Sequence, residues 1–476
     1  MSEGNYYESC ARAHRAGPAE RYPGNHVRFS WLLAPLALLN HAYLRFGGGP
    51  LAMREAFLRE YDAAAPFDSR LGSKEELARF RVTVEKRAEG LEQNPHLSGV
   101  GRALIKLAGV VCLQSRRRVL EFYDANVSFI ESRGRIKAPI IITGLPRTGS
   151  TLLQRLLGED PNTRSPRAFE MNLPLPPLEV GADPLCDPRI KRCNTGHNRM
   201  RRMARGFLEK FSESHHIAPD EFEESFTCLL AHNGINIMNM SQSGFGFIDE
   251  FLQLQGKAVA LRYERLFFTM LDAYCPAPSH WTLKSPLYAS LFPLVFEAYP
   301  DARVVLTHRH PLVVLPSVCR MMESWCIAAD RNGVFDKYRF GEFNQALFGA
   351  FATVPLRYRE ANPEKERQIF DCMYDELFAD PIAMVKRIYA CFDLEVTPVF
   401  EQRMKAYLQN NRQGKYGRHR YSLEEYGIDP ERYFESLCDY MDKYGFRSND
   451  TRPRRSPEIP PLVAGLVTSA GPHVAR

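Results

Sequence analysis

A chain of 476 residues exceeds one ordinary domain, and 45% apolar with 25% charged residues describes a globular protein with a large core, not a disordered or fibrous one. The 62 Lys and Arg against 56 Asp and Glu leave a net charge of +6, too mild to indicate nucleic-acid binding yet suited to an anionic ligand. Eleven scattered cysteines without a Cys-x-x-Cys pair exclude a zinc ribbon or a disulfide scaffold and fit a reducing compartment.

Met1 to His26 is polar and mixed in charge, unlike a secretory signal, so a cytoplasmic location is expected. Phe29 to Leu44 is apolar but broken by Pro35, Asn40 and His41, and it falls short of the ~20 residues of a membrane span. It reads as a buried helix; a membrane contact is open but not indicated. Leu51, Phe57, Leu58 and Tyr61 then form one helical stripe and Leu77, Phe80 and Val84 another, the second opened by a Ser73/Glu76 capping box. A third helix is expected from Arg102 to Phe129. Residues 1–135 are thus an N-terminal helical region.

At Ala138–Gly144 the texture changes to a short apolar, β-branched run ending in glycine, the mark of a buried parallel strand. Strand signals recur at Trp281–Lys284, Arg303–Thr307 and Gln368–Met373. Helical segments such as Leu287–Tyr299 and Pro381–Phe392 separate them. The expected fold class is α/β, a P-loop-like central parallel sheet flanked by helices, over residues 136–447. Six prolines between Ser165 and Pro188 mark a long surface excursion that is expected to cover the site. Residues 448–476 turn to Pro, Ser, Gly and Arg and read as a mobile tail.

The first strand runs into Gly144-Leu145-Pro146-Arg147-Thr148-Gly149-Ser150-Thr151 and a helix with Leu152, Leu153, Leu156 and Leu157. Such a loop turns successive N–H groups inward, and the helix N-terminus adds positive potential where a phosphate would sit. Ser150 holds the position of the lysine that meets β- and γ-phosphates in triphosphate loops. The loop therefore suits a nucleotide with a single 5′-phosphate group, and Arg147 becomes the cation for the transferring group.

With these residues the sequence resembles the sulfotransferases, specifically the bacterial-type branch whose loop reads P-R-T-G-S-T. The resemblance implies binding of 3′-phosphoadenosine-5′-phosphosulfate as co-substrate, without metal. Arg147, Thr148, Gly149, Ser150 and Thr151 would hold its 5′-phosphosulfate end. Arg309, at the end of the Arg303–Thr307 strand, and Ser317, eight residues on, would hold its 3′-phosphate. Trp281-Thr282-Leu283-Lys284-Ser285-Pro286 resembles the family's W-x-L-K-S-P strand, so Lys284 inherits a place near the sulfuryl group. Pro286 stands where cytosolic relatives have their histidine base, and Tyr288 where many relatives of this branch have one. Arg412, Gly414 and Lys415 resemble the cationic loop that closes over the 3′-phosphate.

Sulfuryl transfer needs in-line placement and charge stabilisation, for which Arg147 and Lys284 are the candidates. The acceptor hydroxyl needs a base. His216 and Glu221 are the candidates, from Ser214–Glu224, the region where relatives carry an H-x-x-x-x-P-x-E pattern beside the acceptor. Tyr288 is the other possibility. The acceptor is expected to be a small molecule, lipid or carbohydrate bearing a hydroxyl or amine, and not a nucleic acid. The basic run Arg189 to Arg205 could attract an anionic acceptor or a membrane, though such runs are more often solvated helix faces. The alternatives are a P-loop kinase acting with Mg²⁺ and ATP, or a silent nucleotide-binding module. The oligomeric state is not legible.

Overall fold

A computed structural model describes residues 28–29, 52–205, 218–236, 240–327, 335–411 and 422–447. The expected helix at Phe29–Leu44, apart from Phe29, and the expected tail after Arg447 lie outside the described residues. The strand β1 (Arg28–Phe29) is followed by four helices, α1 (Met53–Asp62), α2 (Lys74–Gln93), α3 (Gly99–Ala125) and α4 (Val127–Arg133). The capping box at the start of α2 is formed: the Glu76 N–H donates to Ser73 Oγ (3.2 Å), and the Ser73 N–H to the Glu76 carboxylate (2.8 Å). The helix expected up to Phe129 breaks at Asn126, whose amide donates to the Phe122 carbonyl (2.8 Å) and restarts the chain as α4.

The β-branched run forms β2 (Ile140–Gly144), followed by α5 (Ser150–Leu157), β3 (Thr163–Arg164), α6 (Pro188–Met203) and β4 (Ala204–Arg205). Then come α7 (Ala258–Tyr274), β5 (His280–Lys284), α8 (Phe292–Ala298), β6 (Arg303–His308), α9 (Pro311–Ile327) and α10 (Lys337–Ala361). The last elements used below are β7 (Ile369–Met373), α11 (Tyr374–Ala379), α12 (Pro381–Cys391), α13 (Pro430–Ser436) and α14 (Cys438–Lys443). The helix expected over Leu287–Tyr299 is two pieces, a 3₁₀ turn at Pro286–Ala289 and then α8. Pro293 explains the break, since it lacks an N–H and fits only the first turn of a new helix.

Five strands form one parallel sheet in the order β3-β5-β2-β6-β7, while β1 and β4 make a separate antiparallel pair. The alternation along β2 splits the core. Ile140 and Ile142 pack with Leu153, Leu156 and Leu157 of α5 and with α12, while Ile141 joins the larger cluster that includes α7, α8, α9 and α10. Each fully buried side chain of this kind contributes roughly 1.5–3 kcal/mol. The α/β architecture with helices on both faces is the expected one.

The larger cluster also takes in α1 to α4, from Met53 onward. Arg116 of α3 is fully buried there. Its guanidinium donates to Asp68 (2.8 Å) and Asn233 (2.9 Å) and lies between the rings of Tyr61 and Tyr263. Arg87 of α2 donates to the Gly234 carbonyl, and Lys257 to Thr83 (2.7 Å). Among the described residues no helix is long and apolar enough to cross a membrane.

Candidate active site

β2 is the central strand, and its carboxyl end opens into the glycine loop, the place where open α/β sheets gather ligands. Gly144 (φ 125°) runs so close to β6 that a Cβ would collide with the Thr307 carbonyl. Gly149 (φ 84°) packs under α11, where a Cβ would come within 2.8 Å of the Phe378 ring. Arg147 takes the left-handed conformation (φ 63°) without being glycine, a local strain of the sort that collects at ligand loops. The Thr148 side chain faces inward. Its hydroxyl donates to the Leu145 carbonyl (2.7 Å) and meets Thr307 Oγ1 (2.6 Å), so any service to a ligand falls to its backbone N–H.

Two sequence-distant motifs meet at Arg147. Arg309 donates to the Arg147 carbonyl (3.0 Å), and the Arg147 Nε lies 3.4 Å from Ser317 Oγ on α9. The Arg309 guanidinium stacks 4.0 Å over the Tyr374 ring at the start of α11. Lys284, the last residue of β5, is buried; its Nζ donates to Thr151 Oγ1 (3.2 Å) on the first turn of α5 and pairs with the Glu224 carboxylate. A cavity of about 290 Å³ brings together Arg147, Gly149, Ser150, Thr151, Glu224, Lys284 and Arg309, while Phe226, Val318, Met321, Met322 and Phe348 give it an apolar wall.

The base candidates fare differently. Glu221 does not line this cavity; its carboxylate pairs with Arg155 of α5, whereas Glu224, three residues on, does line it. The backbone explains the difference. Phe222 bridges to Arg167, and the Ser225 N–H donates to the Lys284 carbonyl (2.8 Å), which ties the Glu224 end of the segment to β5. The excursion from Ser165 to Pro188 does not line the cavity either. His216, Arg412, Gly414 and Lys415 lie outside the described residues.

Tyr288 is fully buried and donates to Glu264 (2.6 Å), which Tyr299 also approaches (3.3 Å), so it holds a core carboxyl and not an acceptor. Burial pushes Glu264 up to about 8 from an ordinary 4.5. The folded chain therefore keeps a proton that the unfolded chain releases above about pH 4.5, and the stability that this proton supplies is lost as pH rises through about 8. Glu264→Gln should flatten the fall of Tm between those limits, a change that thermal melts across the range would register; an unchanged slope would assign the titration elsewhere.

Arg189, the first of the basic run, is a structural residue: it pairs with Asp187 (2.7 Å) and stacks over Phe169. Lys191, Arg192, Arg199 and Arg202 are exposed on α6, which has no acidic residue. Among the described residues no group of His, Cys, Asp or Glu is arranged to hold a metal ion.

A profile of the sulfotransferase family matches residues 139–398. The omega-hydroxy-beta-dihydromenaquinone-9 sulfotransferase Stf3 of Mycobacterium bovis is 23% identical over 337 residues, 69% of this chain and 79% of that protein. Among solved structures, sulfotransferase STF9 of Mycobacterium avium superposes with a TM-score of 0.64 at 21% identity, covering 81% of this chain and 96% of that one. Sulfotransferase STF1 of Mycobacterium tuberculosis H37Rv gives 0.62 at 20%, covering 79% and 98%. At these identities the structural likeness speaks to the fold.

Proposed function

The chain belongs to the sulfotransferase family and is an enzyme that transfers a sulfuryl group, and from that premise we propose that its donor is 3′-phosphoadenosine-5′-phosphosulfate, its acceptor an apolar alcohol and its base Glu224. The observation that carries this reading is the meeting of Glu224, Lys284, Arg147 and Arg309 around one cavity with an apolar wall. The loop N–H groups from Arg147 to Thr151 hold the 5′-phosphosulfate; Arg309 and Ser317, joined by the Arg412 loop, hold the 3′-phosphate. Glu224 takes the proton of the acceptor hydroxyl as its oxygen bonds to sulfur. The bond between sulfur and the oxygen shared with the 5′-phosphate then breaks, and Lys284 and Arg147 meet the charge left on that oxygen.

The wall of Phe226, Val318, Met321, Met322 and Phe348 carries no charge, which favours an uncharged, extended or ring-bearing alcohol over a sugar. The relative Stf3 is named for a hydroxylated menaquinone, an acceptor of this lipid-like kind. Cysteines scattered without pairing motifs suit a cytoplasmic site for the reaction.

Fixed Arg and Lys side chains replace the cation that a triphosphate loop would need, so donor binding should persist in a chelator. Calorimetry should register tight 3′,5′-bisphosphoadenosine in EDTA, competition with the donor, and little response to ATP with Mg²⁺. Mg²⁺-dependent ATP binding that ignores the bisphosphate would favour a kinase and overturn the assignment.

A further inference from the structure

Arg309 sits between two histidines, and both are tied to the same distant stretch of chain. His308, the last residue of β6, is buried; its Nδ1 lies 2.9 Å from the Tyr440 hydroxyl of α14, its Nε2 lies 2.8 Å from Asp371, and its ring stacks 3.7 Å from that of Tyr444. The carboxylate fixes the tautomer: Nε2–H donates to Asp371, and Nδ1 accepts from Tyr440. His310 is also buried. Its Nδ1 accepts the Leu312 N–H (3.3 Å), which leaves Nε2–H to donate to the Arg447 carbonyl (3.0 Å), and its ring meets Phe446.

The far side of this arrangement is saturated. Arg359 of α10 spends its donors on Glu366 (2.7 and 2.6 Å), Asp371 (2.7 and 3.0 Å) and the Tyr444 hydroxyl (2.9 Å). Asp371 is held well below the usual carboxylate range by its bonds to His308 and Arg359. Residues 309 and 310 are the only ones between the end of β6 and the start of α9, so the histidine contacts hold the backbone from which Arg309 reaches the Arg147 carbonyl and the Tyr374 ring.

We propose that His308 and His310 are positioning residues, through which Tyr440, Tyr444 and the Arg447 carbonyl clasp the backbone on both sides of Arg309 and aim its guanidinium at the 3′-phosphate. The clasp makes residues 430–447 part of the donor site, although none of them lines the cavity. It rests on the reading of Arg309 as the 3′-phosphate residue.

The readout is a ratio of affinities, 3′,5′-bisphosphoadenosine against adenosine-5′-phosphate, which isolates the 3′-phosphate from the rest of the nucleotide and from general damage. Arg309→Ala should lower the ratio further than any other variant, leaving only the share that Ser317 and Arg412 supply. Tyr440→Phe and His310→Ala should each lower it by about 3- to 10-fold, the scale of one displaced hydrogen bond, with the monophosphate affinity unchanged; Tyr444→Phe, which keeps its ring on His308 and loses only the hydroxyl contacts to Asp371 and Arg359, should lower it less. His310→Gln can still donate to the Arg447 carbonyl and should regain most of the ratio. If Arg309→Ala leaves the ratio intact, the reading of Arg309 falls and the clasp with it. If Arg309→Ala lowers it sharply while the folded tyrosine and histidine variants keep the wild-type value, the clasp alone is overturned. The two tyrosine variants keep their rings, so a failure of His310→Ala to fold does not remove the test.

Discussion

Replacing Glu224 by glutamine should lower kcat with an alcohol acceptor by about 10²–10⁴, the usual worth of a positioned general base. The loss should shrink as the acceptor becomes more acidic, because a phenol that ionises readily needs less help with its proton. Donor affinity should hold, since Glu224 meets the Lys284 end of the cavity and not the loop or Arg309. Glu221→Gln supplies the contrast. Its carboxylate is engaged with Arg155, so turnover should stay near wild type while stability falls slightly. A Glu221 variant that loses activity as Glu224→Gln does, or a Glu224 variant that keeps full turnover on an alcohol, would move the base elsewhere.

Lys284→Met should cost about 10²–10³ in kcat with every acceptor, alcohol or phenol alike, the scale of removing one preorganised stabiliser of developing charge. The reason is position. The ammonium is fixed by Thr151 on the phosphate-loop helix and by Glu224, so on the proposed reading it bridges the donor loop and the base before any ligand arrives. Methionine keeps roughly the volume of the buried stem and removes the charge together with the donors to Thr151 and Glu224. Because Lys284 and Glu224 are paired, the double variant should lose less than the product of the two single losses. A loss for Lys284→Met that tracked acceptor acidity would instead make the lysine part of proton removal.

The strand signals and the glycine loop were legible because each is local. A β-branched run and a glycine forced to positive φ carry their reason in adjacent residues. The base was not. Glu221 and Glu224 are alike in charge and three positions apart, and long-range backbone bonds, from Phe222 to Arg167 and from Ser225 to the Lys284 carbonyl, decide which one faces the lysine. Tyr288 was likewise ambiguous until Glu264, 24 residues earlier, took its hydroxyl. The break before α8 was readable in Pro293 and missed because the apolar pattern runs through it.

The buried guanidinium of Arg116 has a bearing on how such chains can diversify. The family profile spans residues 139–398, yet the partners of Arg116 and Arg87 at Asn233 and Gly234 lie inside that span while the arginines lie before it. A swap of the first 135 residues for those of a relative would leave Asn233 facing a stranger unless a matching cation came along. Those helices and the 228–235 stretch are thus packed as one unit that crosses the edge of the family profile.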